Sequence, residues 1–286
     1  MPSGIGEMPL EAASGRGTVP VLEYTGERMV PEEAAPATFW EHLYRYRFAA
    51  GFARGRRVLD IACGEGYGTA ALAHAGAASV VGIDLSEEAC AHARRKYNVD
   101  ARAGSAEAIA LADGTIDLIV SFETIEHLDR ADRFLDECVR VLAPGGTLII
   151  STPNREVYRA AGEYSPFHQS ELSEDEFVAL LRRRFSGFDL YVQRLDSAAW
   201  WSARSFAAIS SPWMRLRGGW RLRELLRRAL SPHLVGAVGA AYRRSPGSAI
   251  LAKDRALSAL VNPYALWKRS PATREQPEYI VAVARK

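Results

Sequence analysis

Two acids and two histidines in this chain are of types, and at spacings, that could do chemistry. Glu123, Glu126 and His127 stand at i, i+3 and i+4, so one helical turn would place them on a common face. His168 follows about forty residues later. Two carboxylates and two imidazoles suit a divalent ion such as Mn²⁺, Co²⁺ or Zn²⁺, and could also accept Mg²⁺. Alternatively, either histidine could act as a general base without metal, or the turn could only cap a helix and line a pocket.

A glycine-rich turn offers a second place where a ligand could bind. The apolar run from Val58 to Ala62 predicts a short buried strand, and the small residues from Thr69 to His74 predict a helix. Glycines at positions 64, 66 and 68 lie between them, where bare backbone and a helix N-terminus can meet a ligand. Because position 69 is Thr, the spacing is G-x-G-x-G and does not match the dinucleotide fingerprint.

An acid stands at the tip of the next predicted strand. The run from Ser79 to Ile83 is apolar, and Asp84 follows it twenty residues after Gly64. A carboxylate in that place can accept hydrogen bonds from both hydroxyls of a ribose, which favours a nucleoside ligand. Asp84 could instead cap the next helix, but Ser86 fits that role better.

With the segments 102–108, 113–120, 121–128 and 142–150 in this order, the chain resembles the class I S-adenosylmethionine (SAM)-dependent methyltransferases, over about residues 55–195 and the last strand. The resemblance implies a Rossmann-like α/β fold with seven strands, SAM as the cofactor and S-adenosyl-L-homocysteine as the product. Asp60 and the glycines would line the methionine end of SAM, Asp84 would hold the ribose, and Ser105 and Ala106 would lie beside the adenine. The full set assigned to the cofactor is Asp60, Ala62, Gly64, Gly66, Gly68, Asp84, Leu85, Ser105, Ala106, Glu107 and Phe122.

The acid-rich turn carries a resemblance of its own. Glu-x-x-Glu-His, then Ser151-Thr-Pro-Asn154, then His168 is similar to the order in small-RNA 2′-O-methyltransferases that use a divalent metal. The Glu-x-x-Glu-His part also resembles quinone-biosynthesis O-methyltransferases. This likeness implies that Glu123, Glu126, His127 and His168 ligate Mg²⁺, Mn²⁺ or Zn²⁺, with the two histidines as the catalytic candidates.

The sequence as a whole divides into five predicted parts. Residues 1–20 form a disordered lead-in, 21–55 a lid region, 56–195 the SAM-binding core, 196–275 a helical insert and 276–286 the last core strand. The lid helix, from Phe39 to Ala50, is rich in aromatic residues, and His42, Tyr44, Arg45 and Arg47 could face a pocket or pack on the core. In the core we predict helices 87–97, 130–142 and 175–185, and strands 116–120, 147–151, 188–195 and 279–284.

The predicted insert is the most basic part of the chain. Residues 196–275 hold fourteen Lys and Arg against four Asp and Glu, a net of +10, which leaves −8 for the remainder. They also contain five of the six tryptophans. Such a segment could be a solvated cap, a face that docks peripherally on an anionic membrane, or a surface for nucleic acid, which is the least favoured partner.

The composition of the chain indicates its size class and its cellular compartment. The chain has 286 residues, 48% of them hydrophobic, which is enough for one sizeable core with a smaller appendage. The three cysteines lack metal-like spacing, which predicts buried, reduced thiols. The N-terminus does not resemble a secretory signal and no apolar run is long enough for a membrane span, so we expect a cytoplasmic protein. Peripheral docking on a membrane and assembly as a homodimer are further options.

Together these features favour an O-methyltransferase acting on a hydroxyl of a sugar or glycosylated small molecule. The segment from Thr25 to Pro31 with the aromatic helix resembles bacterial methyltransferases of polysaccharide and glycoside biosynthesis. The alternatives are a phenolic or isoprenoid acceptor reached at the membrane, RNA ribose 2′-O-methylation, and a SAM-binding regulator without turnover.

Overall fold

The computed structural model describes residues 29–31, 36–161, 165–193, 266–270 and 276–286. The predicted lead-in, 1–20, lies outside the described residues, and so does the predicted insert apart from 266–270. The described chain forms one mixed sheet of eight strands with helices packed against it.

The elements predicted for the core occur in the predicted order, and the helix Arg155–Ala161 and the strand Leu266–Lys268 are present in addition. The strands are β1 Arg57–Ile61, β2 Ser79–Asp84, β3 Asp100–Ala103, β4 Ile116–Ser121, β5 Leu142–Pro153, β6 Gly187–Gln193, β7 Leu266–Lys268 and β8 Tyr279–Arg285. The helices are α1 Pro36–Ala50, α2 Tyr67–His74, α3 Glu87–Tyr97, α4 Ala131–Val141, α5 Arg155–Ala161 and α6 Glu174–Arg182, and a 3-10 turn spans Ile125–His127.

The strand order across the sheet is β3-β2-β1-β4-β5-β8-β6-β7. The first five strands in that order run parallel, whereas β8 is antiparallel to both of its neighbours, β5 and β6. The predicted seven strands are present, and β7 adds a short eighth strand at the edge, within residues that we expected in the helical insert. The chain leaves β1 toward β2 on one side and leaves β4 toward β5 on the other. Because these two connections run in opposite directions, a crevice opens between the carboxyl ends of β1 and β4.

Local signals in the sequence explain where the helices begin and end. Ser86 caps α3, because its side chain accepts a hydrogen bond from the Ala89 N–H at 3.2 Å. The helix ends at Asn98, whose φ of 56° is left-handed. Ser173 and Glu176 form the predicted capping box at the start of α6, with reciprocal bonds of 3.3 and 2.8 Å.

The main core lies between the sheet and its helices. It is built from inward-facing residues of the strands, α4 and α6, with Phe134, Phe177 and Leu148 among the fully buried side chains. Cys63, Cys90 and Cys138 are free and buried, as predicted. Within the described ranges, no helix combines the length and the apolar character needed to cross a bilayer.

Candidate functional site

The glycine turn joins β1 to α2 at the crevice. Gly64 and Gly66 adopt φ values of 55° and 90°, which side chains disfavour. A Cβ on Gly66 would lie 2.5 Å from the Cβ of Ala93 in α3, and one on Gly68 would overlap the ring of Tyr46 in α1. The glycines therefore let two helices approach the turn, in addition to leaving backbone bare for a ligand.

Asp60 lies beneath this turn, fully buried at the end of β1. Its carboxylate accepts hydrogen bonds from the Thr69 hydroxyl at 2.7 Å and the Tyr46 hydroxyl at 2.9 Å. Burial raises the pKa of Asp60 from 3.8 to about 7, against the opposing effect of the two hydroxyl donors, and the nearby Asp84 carboxylate raises it further. Asp60 thus links α1 and α2 to the sheet.

Asp84 ties the tip of β2 to the glycine turn. One carboxylate oxygen accepts from the Gly64 N–H at 2.8 Å and the other from the Ser86 N–H at 2.9 Å. Each oxygen keeps further lone-pair capacity, so both can still accept from the hydroxyls of a ligand. Leu85, the next residue, is 82% exposed and offers an apolar surface beside that carboxylate.

The loop after β3 closes the same edge of the sheet. Ser105 accepts from the Glu107 N–H at 3.1 Å, which forms a tight turn. The Glu107 carboxylate accepts from the backbone N–H of Arg130 at 3.0 Å and pins this loop to the start of α4. Phe122, just past β4, packs edge-on against Tyr46 with ring centroids 5.0 Å apart. The predicted cofactor residues therefore lie at the carboxyl ends of β1, β2, β3 and β4.

Helix α1 covers the crevice with polar side chains. Arg45 is fully buried, donates to the Gln193 side chain at 2.7 Å and lies over the ring of Tyr279. Burial and Arg45 together lower the pKa of His42, which keeps that imidazole neutral, and its Nδ1 lies 3.2 Å from the Tyr67 hydroxyl. Of the four candidates on this helix, Arg45 and His42 face the polar network beneath it.

Tyr44 and Arg47, the other two candidates, contact each other. Tyr44 is buried, and the Arg47 guanidinium lies 5.7 Å from the centroid of its ring. Tyr46, which we did not single out, is the α1 residue that reaches Asp60. A helix with aromatic residues on several sides does not reveal from sequence which of them faces inward.

Glu123 differs from its predicted placement. The 3-10 turn begins only at Ile125, and Glu123 has a left-handed φ of 51°, so the expected helical turn from 123 to 127 was wrong. Ser151 holds Glu123 by accepting from its N–H at 3.2 Å and donating to its carboxylate at 2.6 Å. The carboxylate lies 4.0 Å from Arg45. Glu123 is thus directed toward α1.

Glu126, His127 and His168 form a cluster whose potential ligand atoms lie within 4.8 Å of one another. Glu123 is outside this cluster. Gln169 and Ser170 both donate their N–H groups to the backbone oxygen of Glu126, at 2.8 and 3.0 Å, and so bring the loop that carries His168 onto the turn. Three of the four predicted ligands are therefore adjacent.

The Glu126 carboxylate is fully buried, and neither oxygen makes a hydrogen bond of good geometry in the described part of the chain, although the Thr152 hydroxyl and the Glu126 backbone N–H interact with it and lower its pKa. Burial, and next the Glu123 carboxylate, raise its pKa well above the usual range. A buried acid that lacks well-aligned donors is costly, so this one is suited to meeting a cation or a proton from a ligand.

The two histidines are held through Nδ1. His127 Nδ1 lies 3.1 Å from the Phe167 backbone oxygen, and His168 Nδ1 lies 3.3 Å from the Glu171 carboxylate. Because both partners only accept, each Nδ1 carries the proton in the neutral ring, and each Nε2 presents a lone pair. Such a donor set, one carboxylate oxygen with two imidazole nitrogens, fits a divalent ion such as Zn²⁺ or Mn²⁺.

Comparisons with known proteins agree with this architecture. Residues 59–150 match the family model of a methyltransferase domain. The chain is 39% identical over 174 residues to a probable S-adenosylmethionine-dependent methyltransferase of Mycolicibacterium smegmatis, a match that covers 59% of this chain and 66% of the relative. The chain carries a class I SAM-dependent methyltransferase domain.

Two further matches set the limits of the similarity. The chain is 40% identical over 112 residues to a ubiquinone biosynthesis O-methyltransferase of Rhizobium johnstonii, a match that covers 37% of this chain and 45% of the relative. A SAM-dependent methyltransferase from Thermotoga maritima superposes with a TM-score of 0.54 at 16% identity, over 86% of this chain and 89% of that one, and supports the fold alone. The chain thus spans 66% of the length of the first relative and less than half of the second.

Besides Tyr46, two residues of the candidate site could not be singled out from the sequence. Thr69 was noted for breaking the dinucleotide pattern and for beginning a predicted helix, yet its hydroxyl also donates a hydrogen bond to Asp60. Ser151 appeared only as part of a motif, yet it fixes the conformation of Glu123. A hydroxyl residue at a strand end or helix start is common, so neither had a distinctive signal.

Proposed function

We propose that this protein is a SAM-dependent O-methyltransferase that transfers the SAM methyl group to a hydroxyl of a sugar or glycosylated small molecule. The observation that carries the proposal is the cluster of the buried Glu126 carboxylate with the His127 and His168 imidazoles, at the carboxyl edge of the sheet. An alcohol is a poor nucleophile at neutral pH, and this cluster offers the means to deprotonate it.

In the proposal, SAM lies along the carboxyl ends of the first strands. The glycine turn and Asp60 face its methionine portion, and the Asp84 carboxylate accepts from the ribose hydroxyls. The exposed side chain of Leu85 packs against the adenine, which Ser105, Ala106 and Glu107 flank. Phe122, just past β4, packs on Tyr46 at the same edge. Support comes from the placement of these residues along one edge of the sheet.

Either imidazole can take the acceptor proton through Nε2, because Nδ1 of each ring donates to a fixed acceptor. Glu126, His127 and His168 would also hold a divalent ion, which would lower the pKa of a hydroxyl bound to it. The hydroxyl oxygen then attacks the sulfonium methyl in line, and S-adenosyl-L-homocysteine leaves. The protein mainly aligns oxygen, methyl carbon and sulfur.

A second candidate acceptor is a phenol or catechol. The identity to ubiquinone biosynthesis O-methyltransferases over 112 residues favours it. A catechol and a sugar diol both present adjacent oxygens, so the cluster serves either, and the acceptor must be distinguished by experiment.

The test is transfer of labelled methyl from SAM to paired acceptors: glycosides against their monodeoxy analogues, and catechol against phenol. Each reaction is run with and without a chelator, followed by re-addition of Mg²⁺, Mn²⁺ or Zn²⁺. We expect glycoside methylation that is lost when one of two adjacent hydroxyls is removed. Methylation of catechols alone would select the second candidate, and no transfer to any hydroxyl would refute O-methylation.

Variants of the cluster complete the test. Glu126→Gln and His168→Gln should lower kcat by about 10²-fold or more, the usual contribution of a positioned acid-base group. The matched control is Asp129→Asn, because Asp129 is an exposed acid three residues from Glu126. The same change at His127, His127→Gln, tests the other imidazole, and full turnover in all three cluster variants would remove the base and the metal from the mechanism together.

A further inference from the structure

The glycine turn contains a buried acid that takes no part in the proposed reaction. Glu65, between Gly64 and Gly66, is fully buried. Its carboxylate lies 3.0 Å from the Lys96 ammonium and 2.9 Å from the Tyr97 hydroxyl, both of which donate to it, and 3.3 Å from His92 Nε2. These three partners belong to α3, so the Glu65 side chain attaches the turn to that helix.

The backbone of the turn touches α3 as well. Gly66 has a φ of 90°, and there is no room for a Cβ between it and Ala93 of α3. The turn is therefore held against the helix by close backbone packing at Gly66 and by the Glu65 side chain beside it.

Helix α3 is itself fixed to Asp84. Its N-cap, Ser86, donates its backbone N–H to one Asp84 oxygen, while the other oxygen accepts from the Gly64 N–H. The contacts form a closed ring that runs from the turn to Asp84, through α3, and back to the turn through Glu65. The spacing between the turn and the Asp84 carboxylate is set by this ring before any ligand binds.

We propose that Glu65 is a positioning residue that holds the glycine turn at the separation from Asp84 that SAM requires; this rests on the proposed function. Burying a carboxylate is costly, and an apolar side chain could fill the same volume. What the acid adds is one fixed geometry, because its donors are spaced along a rigid helix. A turn ordered in advance spares the binding of SAM the cost of ordering it.

The experiment compares two ligands by calorimetry on the full chain. S-adenosyl-L-homocysteine spans the turn and the Asp84 side, whereas 5′-methylthioadenosine carries the nucleoside without the amino-acid portion. Glu65→Gln should weaken S-adenosyl-L-homocysteine binding about tenfold, because a neutral amide replaces the charge-assisted hydrogen bond from the Lys96 ammonium with a weaker one. Binding of 5′-methylthioadenosine should change less than twofold. In turnover assays KM for SAM should rise while kcat at saturating SAM is kept.

Two further variants sharpen the result. Glu87→Gln is the matched control, because Glu87 pairs with Arg94 on the same helix but is exposed, and both affinities should stay at the wild-type values. Tyr97→Phe removes one donor to Glu65 and should cost a smaller factor, about two- to fivefold, for S-adenosyl-L-homocysteine alone. If Glu65→Gln does not fold, the inference is tested by whether Tyr97→Phe weakens the binding of S-adenosyl-L-homocysteine and leaves that of 5′-methylthioadenosine unchanged.

Equal loss for both ligands, or no loss for S-adenosyl-L-homocysteine, would overturn the inference. Wild-type protein that binds neither ligand would end the proposed function and the inference together. Wild-type protein that binds both but methylates none of the acceptors leaves the inference fully tested by the binding data, while the proposed function fails by itself.

Discussion

Replacing Asp60 with Asn should make the protein more stable than the wild type at neutral pH, by an amount that depends on pH. Asp60 is fully buried, and its folded-state pKa is about 7 against 3.8 for an ordinary aspartate. Between these values the native state keeps a proton that the unfolded chain releases. The proton bound by Asp60 in the native state therefore contributes its full stabilisation below pH 3.8, and this stabilisation is lost as the pH rises to about 7.

The size of the effect follows from that gap. At about 1.36 kcal/mol per pH unit, the wild type should lose about 4 kcal/mol relative to an amide that does not titrate, of which about 2.7 kcal/mol falls between pH 5 and pH 7. The amide must also rearrange its bonds to Thr69 and Tyr46, at a constant cost of about 1 kcal/mol. The Asn variant should thus be close to the wild type at pH 5 and clearly more stable at pH 7.

The assay is urea unfolding of both proteins, followed by tryptophan fluorescence, at half-unit steps from pH 5 to pH 8. Asp117→Asn is the control, since Arg57 lowers the pKa of Asp117 to about 2 and its contribution is constant above pH 5. A difference between Asp60→Asn and wild type that stays flat over this range would show that Asp60 is already ionised in the native state. The account of a protonated acid beneath the glycine turn would then be wrong.

Three other substitutions test separate contacts. Gly68→Ala should destabilise the domain by about 1–3 kcal/mol, because the added methyl group overlaps the Tyr46 ring. In a Tyr46→Ala background the same change should cost much less. Additive unfolding free energies of the two changes would contradict the packing of α1 on the turn. Ser173→Ala should cost about 1 kcal/mol in urea unfolding through loss of the α6 capping box, and an unchanged midpoint would contradict it. Leu85→Ser should leave the melting temperature unchanged, because the side chain is 82% exposed, but weaken S-adenosyl-L-homocysteine binding several-fold by calorimetry; equal binding would exclude Leu85 from the adenine side of the cleft.

Local sequence signals were enough for most of the fold. The bounds predicted for α3 match the structure, because Ser86 and Asn98 mark its two ends with distinct capping chemistry. The order of strands and helices followed from alternating apolar runs. The edge strand β7 was missed, since a strand of three residues is too short to show a hydrophobic periodicity.

The site was less accessible from sequence because it depends on backbone angles and distant partners. Spacing suggested that Glu123 and Glu126 share a helical face, but the left-handed φ of Glu123 turns its carboxylate toward Arg45, about eighty residues earlier in the chain. No local pattern announces such a φ for a residue other than glycine or asparagine. His168 approaches Glu126 only because two backbone N–H groups of its own loop bond to that turn.

The position of β8 in the sheet has a consequence for how the protein is made. Seven residue pairs join β8 to β5 and seven join it to β6, yet the 125 residues from 154 to 278 separate the end of β5 from its start. At about 5–20 residues per second, a ribosome needs roughly 6–25 s to synthesise that interval. During this time β5 is an edge strand of the nascent domain with unpaired backbone groups, and a strand of another unfinished chain could pair with it. We therefore expect the yield of native protein to depend on translation speed and on chaperones that shield that edge strand.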